Sequence, residues 1–275
     1  MSQTPASAAR LFLAALIAAG AFVLICADGQ AEQKADLTAS FSPKQLGAPA
    51  TISLAFTITS LPPDDQTPIR SVSLQLPSEM GIATSGLGLE NCLVSRLEAL
   101  GPRGCPADSL MGRGTATAEI PIGGEVIAES ARVELFSAPV QSGRLALLVY
   151  ADGRSPVFAQ LVFPAVVVPA TSPYSEGIET SVPLVPSLPG APDVAVTRFQ
   201  MALGTTSQGV GHFVYYRRVH GQRVPYAPNG LLLPSRCPTG GFPFEAHFAF
   251  EDGTTASAHT SVACPRGSRR RGHVG

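Results

Sequence analysis

Three groups of residues in this chain could do chemistry. The densest is His212 to Tyr226, H-F-V-Y-Y-R-R-V-H-G-Q-R-V-P-Y. It gathers three of the five tyrosines with Arg217, Arg218, Arg223, His212 and His220. Tyrosine and arginine together can stack on and hydrogen-bond a sugar or an anionic polymer. Read as a strand over residues 210–218, the stretch puts His212, Tyr216 and Arg218 on one face, with His220 in line. Phe213, Tyr215 and Arg217 take the other face. The plainer reading is a solvated strand whose long side chains snorkel. The absence of tryptophan also weakens a sugar platform.

The second group is Glu245, His247 and His259. A hairpin turning on Asp252, Gly253 and Thr254 sets His247 opposite His259, with Glu245 two residues away. Two imidazoles and a carboxylate could hold zinc or copper. Two exposed histidines with no metal are the alternative. The third group is the tail, residues 266–275, with four arginines and no acid. It could touch anionic envelope polymers or nucleic acid, or it is a disordered, solvated end.

Enzyme signatures do not emerge. The stretch Gly204-Thr-Thr-Ser207-Gln-Gly misses G-x-S-x-G by one residue. The chain holds no H-E-x-x-H, phosphate loop or dinucleotide fingerprint. Asp and Glu residues could still pair in space for glycoside hydrolysis, which sequence cannot display. No catalytic residue and no cofactor is assigned on this basis.

Five cysteines occur, one of them, Cys26, inside an N-terminal apolar run. Arg10 precedes that run, which extends from Leu11 to Ala27 without a charge. Gly29 and Ala31 then offer small residues at the −3 and −1 positions of a cleavage site. The pattern is that of a secretory signal peptide over residues 1–31. Its length of about 17 residues reaches the lower limit for spanning a bilayer, so a retained anchor is a second reading. Export leaves Cys92, Cys105, Cys237 and Cys264, an even number that implies disulfides. Of three pairings, Cys92–Cys105 and Cys237–Cys264 are chosen because each is local and flanks one structural unit. Zinc is disfavoured, because no C-x-x-C spacing occurs and no histidine sits at ligand spacing from a cysteine.

Only 14% of residues are charged against 45% hydrophobic, with 27 Gly and 25 Pro. That composition points to short strands and tight turns, and the aliphatic content argues against disorder. Residues 32–265 carry 14 basic and 19 acidic side chains, a net of −5. A mildly acidic body exerts no long-range pull on nucleic acid.

Strands dominate the pattern. In residues 50–59, Ile52, Leu54, Phe56 and Ile58 alternate. In residues 69–76, Val72, Leu74 and Leu76 point inward. Period-two alternation marks half-buried strands. Others are expected at residues 115–120, 132–137, 144–151, 157–168, 194–203, 210–218 and 230–233. A closing hairpin is expected over residues 242–263. One helix is expected over residues 89–100, stopped by Gly101-Pro102. Four prolines in residues 183–192 mark an extended connector.

The stretch from Cys105 to Ala116 reads C-P-x-x-S-x-x-G-x-x-x-A. It resembles a signature found in uncharacterised exported β-rich proteins of high-GC bacteria, for which no function is established. Residues 131–139, 145–149, 186–189 and 233–238 are similar to the same proteins. The resemblance implies one β-rich unit, present once, with Cys105 and Cys237 at element ends. It supplies no catalytic residues.

The sequence therefore predicts an all-β, mainly antiparallel sandwich over residues 36–265, with one short helix. A split near residues 183–192 is the alternative. The leading function is a non-catalytic secreted or envelope-associated structural or binding protein. Its partner would be an envelope polysaccharide or another extracellular molecule, with the membrane reached only through a retained N-terminal segment. A secreted hydrolase is the alternative.

Overall fold

The computed structural model describes residues 33–60, 66–82, 86–122, 125–155, 158–187 and 193–265. The N-terminal apolar segment and the arginine tail lie outside them.

Alternation builds most of the chain into strands. In order they are β1 (Gln33–Ser42), β2 (Pro49–Ser60), β3 (Ile69–Pro77), β4 (Leu110–Ile122), β5 (Glu125–Gln141), β6 (Arg144–Gly153) and β7 (Ala159–Pro169). Then come β8 (Tyr174–Ser181), β9 (Ala195–Leu203), β10 (Tyr215–Val219), β11 (Gln222–Tyr226), β12 (Leu231–Leu232), β13 (Phe242–Phe250) and β14 (Thr255–Val262). Eleven of them form one antiparallel sheet in the order β1-β2-β9-β4-β5-β6-β7-β8-β3-β13-β14, and β12 adds to β2. The all-β architecture expected from the sequence holds. The two packed layers expected there are walls of a single continuous sheet, rolled nearly closed. Strands from both sides of residues 183–192 alternate within it.

The last strand, β14, returns to lie alongside β1, but the ladder does not continue between them. Side chains close this seam from inside. Phe41 of β1 meets Phe242 and Phe244 of β13 at ring-centroid distances of 5.3 and 5.9 Å. Phe56 of β2 meets Phe248 of β13 edge-on at 4.9 Å. Ala256, opposite Phe248 on the intervening β14, is small enough to let that ring reach Phe56, while Phe242 and Phe244 lie opposite Val262 and Thr260.

Cross-strand register puts one set of residues on the inner wall. Leu54, Met201, Gly114, Val133 and Ala151 lie in one row, and Phe56, Phe199 and Ala116 in the next. The inner glycines of β4 mark a close approach to β9. A Cβ on Gly112 would meet the carbonyl oxygen of Ala202 at 2.5 Å, and one on Gly114 would run into that of Gln200.

One end of the barrel is filled. Gly81 N–H donates to Leu232 O at 2.9 Å and Gly47 N–H to Pro234 O at 3.0 Å. These bonds draw the segments after β3 and β11 onto the β1–β2 turn. Met80, Ile82, Leu87, Phe213, Tyr215 and Leu233 are buried there. The other end carries the start of β1 and the β2–β3, β4–β5, β6–β7 and β13–β14 connections.

Three local expectations are corrected. The helix α1 spans Val94–Leu100, five residues shorter at its start than residues 89–100. The reason is that Cys92 N–H donates to Ser137 O at 2.8 Å, which holds the preceding residues against β5. Gly101 ends it at φ +63°, as expected for a glycine stop. Residues 210–214 are a loop and not part of a strand. Tyr215–Val219 pairs with Gln222–Tyr226 in a hairpin apart from the main sheet, turning on His220 (φ +49°) and Gly221 (φ +82°). In the final hairpin the loop moves back by one residue, so each residue's cross-strand partner moves by two. Its loop is Glu251-Asp252-Gly253, since Phe250 N–H donates to Thr254 O at 3.0 Å. The Asp252 carboxylate takes both Thr254 N–H (2.8 Å) and its hydroxyl (2.6 Å), which pulls Thr254 opposite Phe250.

Cys92–Cys105 and Cys237–Cys264 are disulfide-bonded, the pairing expected from their spacing. The first ties α1 to the segment entering β4, and the second ties the segment before β13 to the end of β14.

Removing the seam ring by Phe248→Ala is expected to cost about 3–5 kcal/mol, the range for a buried phenylalanine. Gly114→Ala, which must push β4 from β9, should cost about 2–4 kcal/mol. Urea unfolding of the oxidised protein measures both.

Candidate functional site

The Tyr/Arg stretch splits between core and surface. Tyr215 is fully buried: its hydroxyl donates to Leu110 O at 2.7 Å and accepts from Gly88 N–H at 2.9 Å. Burial pushes its phenol up to about 12. Phe213 is buried beside it. Tyr216 and Arg218 share one face of the β10–β11 hairpin, as expected. Arg223 joins them across the strands. The guanidinium of Arg223 lies 3.9 Å from the Tyr216 ring centroid, and Arg217 lies 5.5 Å from that of Tyr226. The two accessible rings are thus already stacked by arginines of the same hairpin. His220 sits in the turn, and His212 Nδ1 lies 3.0 Å from Thr206 O in the preceding loop. The six residues therefore do not form one surface.

A surface groove of about 490 Å³ runs beside this hairpin, lined by Arg103, Arg113, Glu134, His212 and Tyr216 among others. Its centre is an ion pair. Arg113 Nε donates to Glu134 Oε1 at 2.8 Å, and Arg113 Nη1 donates to His212 O at 2.7 Å. Glu134 is the one carboxylate among the groove's described lining residues, and Arg113 occupies it. Paired-acid hydrolysis needs a second, free carboxyl.

The Glu245–His247–His259 group also changes with the hairpin shift. His259 lies opposite Glu245, and His247 lies opposite Ser257, so the two histidines do not face each other. His247 Nδ1 is 2.8 Å from Ser257 Oγ, and its Nε2 is 3.5 Å from Glu245 Oε1. Among the described residues, no three of His, Cys, Asp and Glu are grouped so as to hold a metal.

The strongest site is one that residue chemistry does not advertise, the barrel interior. A cavity of about 200 Å³ lies between the walls. Leu37, Phe56, Val149, Phe163, Ile178 and Phe199 are among the apolar residues that line it. Thr180 is the sole hydroxyl in the lining, and it donates to Pro164 O at 2.8 Å. Leu135, Leu147, Ala165, Leu203 and Ile69 of the lining are buried, and Phe56, Phe199, Ala151, Leu161 and Val182 are half-buried.

Eleven strands account for this space. Around eight strands give a bore that side chains fill or that holds one small ligand, and diameter grows with strand number. Alanines at 116, 151 and 165 thin the wall further. The alternation that reveals each wall was visible in the sequence. The circumference, which decides whether inward residues meet each other or empty space, was not.

The Cys105–Ala116 signature has a local account along this wall. Cys105 is stapled to Cys92. Ser109, fully buried, donates to Pro106 O at 2.6 Å and closes a 3-10 turn over Ala107–Ser109. Gly112 permits the approach of β9, and Ala116 lines the cavity beside Phe199. Comparison with family models, with curated proteins and with solved structures gives no match to this chain.

The buried Tyr215 phenol makes stability fall in alkali. An unfolded tyrosine ionises near pH 10, before the folded one near 12. The stabilisation is complete below pH 10 and is lost as pH rises from 10 toward 12. Burial also raises Tyr150 and Tyr174. Tyr215→Phe should flatten the part of the alkaline loss that is its own. At neutral pH it should cost about 1–2 kcal/mol through the partners left unbonded. Denaturation midpoints across that pH range measure both effects.

Proposed function

We propose that this protein is a non-catalytic, exported binding protein that holds an apolar chain or ring inside its barrel. The carrying observation is the cavity of about 200 Å³ between apolar walls. A dry apolar cavity of roughly 150 Å³ already takes up benzene, so this one has room for a small hydrophobic ligand. Each buried methylene would contribute about 0.8 kcal/mol. Its lining offers no ionisable side chain to move a proton, which favours binding over turnover. The two disulfides are consistent with an extracellular or secreted protein. The apolar N-terminal segment supports export, and the likeness of residues 105–116 to exported proteins agrees with it.

The chain has no tryptophan, so one placed in the lining is an isolated reporter. In Phe163→Trp, a brominated fatty acid added below its micelle concentration should quench the indole saturably. Adding Ala151→Phe, which fills the space, should weaken that binding at least about tenfold while leaving the fold intact. An indole that stays unquenched at all concentrations would reject the reading.

A further inference from the structure

Positive charge is segregated on this chain. Residues 194–244 hold five arginines and no acid, whereas residues 32–265 as a whole carry a net of −5. Three of the five, Arg217, Arg218 and Arg223, stand on the β10–β11 hairpin, apart from the main sheet. All three are exposed, and none makes an ion pair with a described carboxylate. Arg218 lies directly opposite Arg223. Like charges facing each other across two strands destabilise the pair. Local rules of this kind are broken chiefly at functional sites, and here an external anion would supply the missing counter-charge.

The same face of the hairpin borders the groove of about 490 Å³, because Tyr216 shares that face with Arg218 and Arg223 and lines the groove. Arg103 lines it too, exposed on the 3-10 turn Gly101–Gly104 that leads into the Cys92–Cys105 disulfide. Glu134 is already neutralised by Arg113, so the groove's described lining sets no unpaired carboxylate against these cations. The groove also offers an acceptor. His212 Nδ1 lies against a carbonyl oxygen, Thr206 O, so it carries the ring proton. Nε2 of the uncharged ring is then left to accept a hydroxyl.

We infer that the hairpin and groove bind an acidic polysaccharide, with Arg218, Arg223 and Arg103 taking its carboxylates and His212 a neighbouring hydroxyl. A guanidinium fork fits a planar carboxylate through two parallel hydrogen bonds. Arg223, 3.9 Å from the Tyr216 ring centroid, is held ready for that contact, since stacking uses the flat of the guanidinium and leaves its donors free. The same stacking covers the ring that a nucleobase would need, and the net charge of −5 repels the dense backbone of nucleic acid. A run of acidic peptide side chains would satisfy the arginines but offers His212 no hydroxyl beside each carboxylate. The site shares no lining residue with the barrel cavity, so it stands independently of the apolar ligand.

Titration calorimetry on the oxidised full chain tests this with oligogalacturonate, poly-glutamate, neutral dextran and single-stranded DNA. Oligogalacturonate should bind most tightly, its log affinity falling linearly as log salt rises. Arg218→Gln with Arg223→Gln should weaken it at least about tenfold and make the salt dependence shallower. The urea midpoint of that double variant should not fall, since a like-charge pair is removed. Lost binding is thereby separated from lost folding. His212→Ala should weaken oligogalacturonate and leave poly-glutamate unchanged.

Dextran bound as tightly as oligogalacturonate would overturn the role of charge. Poly-glutamate or DNA bound as tightly or more tightly would overturn the assignment to a sugar acid. No binding of oligogalacturonate, or binding that the double arginine variant keeps at full strength, would overturn the proposal outright. The quenching of Phe163→Trp reads the cavity alone and is untouched by any of these results.

Discussion

Everything in this molecule depends on how a sheet of eleven strands meets itself. A sheet of this width that stayed flat would leave β1 and β14 as bare edges, open to pairing with other chains. Here the ends come together without a ladder, and the join is made by phenylalanine rings. Phe242 and Phe244 of β13 meet Phe41, and Phe248 reaches over Ala256 of β14 to Phe56. That arrangement puts the large rings on β13 and smaller side chains on β14. It also concentrates aromatic volume on one side of the bore. The opposite walls, β4 to β7, carry Ala116, Ala131, Ala151 and Ala165 on their inner faces. The cavity lies between these thin walls and the seam side, where Leu37, Phe56 and Ala246 also line it.

Much of this was legible in the residues. The inner faces of β2, β3 and the final hairpin follow from alternation alone, and a two-residue change of cross-strand partners in that hairpin left every inward residue inward. Face depends on parity, whereas cross-strand partners depend on which residues the turn consumes. The Asp252 carboxylate settled that by capturing Thr254. The Glu245–His247–His259 group depended on partners and so did not survive. Strand β8 was not legible, because Tyr-Ser-Glu-Gly-Ile-Glu-Thr-Ser holds a single aliphatic side chain. Its place comes from the pairing of both its edges with β7 and β3. Strand β1 was missed for a similar reason, with alanines at two of its inward positions.

The Tyr/Arg stretch shows the limit of reading chemistry from residue type. Density of tyrosine and arginine suggests a stacking surface, but stacking partners within the chain are nearer than any ligand. Arg223 covers Tyr216, and Arg217 approaches Tyr226. Tyr215 turns inward because the filled end needs a hydroxyl to bridge Leu110 O and Gly88 N–H. A ligand seeking these rings would first have to displace a cation already in place.

The signature from Cys105 to Ala116 is informative in the opposite way, because none of its positions is reactive in the folded chain. Its cysteine is closed in a disulfide, and its serine is spent on a turn beneath the filled end. Its first glycine lets two backbones touch, and its alanine leaves room in front of Phe199. Read from one end to the other, it follows a single wall from the filled end to the cavity. Such a motif specifies where backbone may approach and where side-chain volume must be withheld. Along β4 that withheld volume leaves space in the bore beside Phe199.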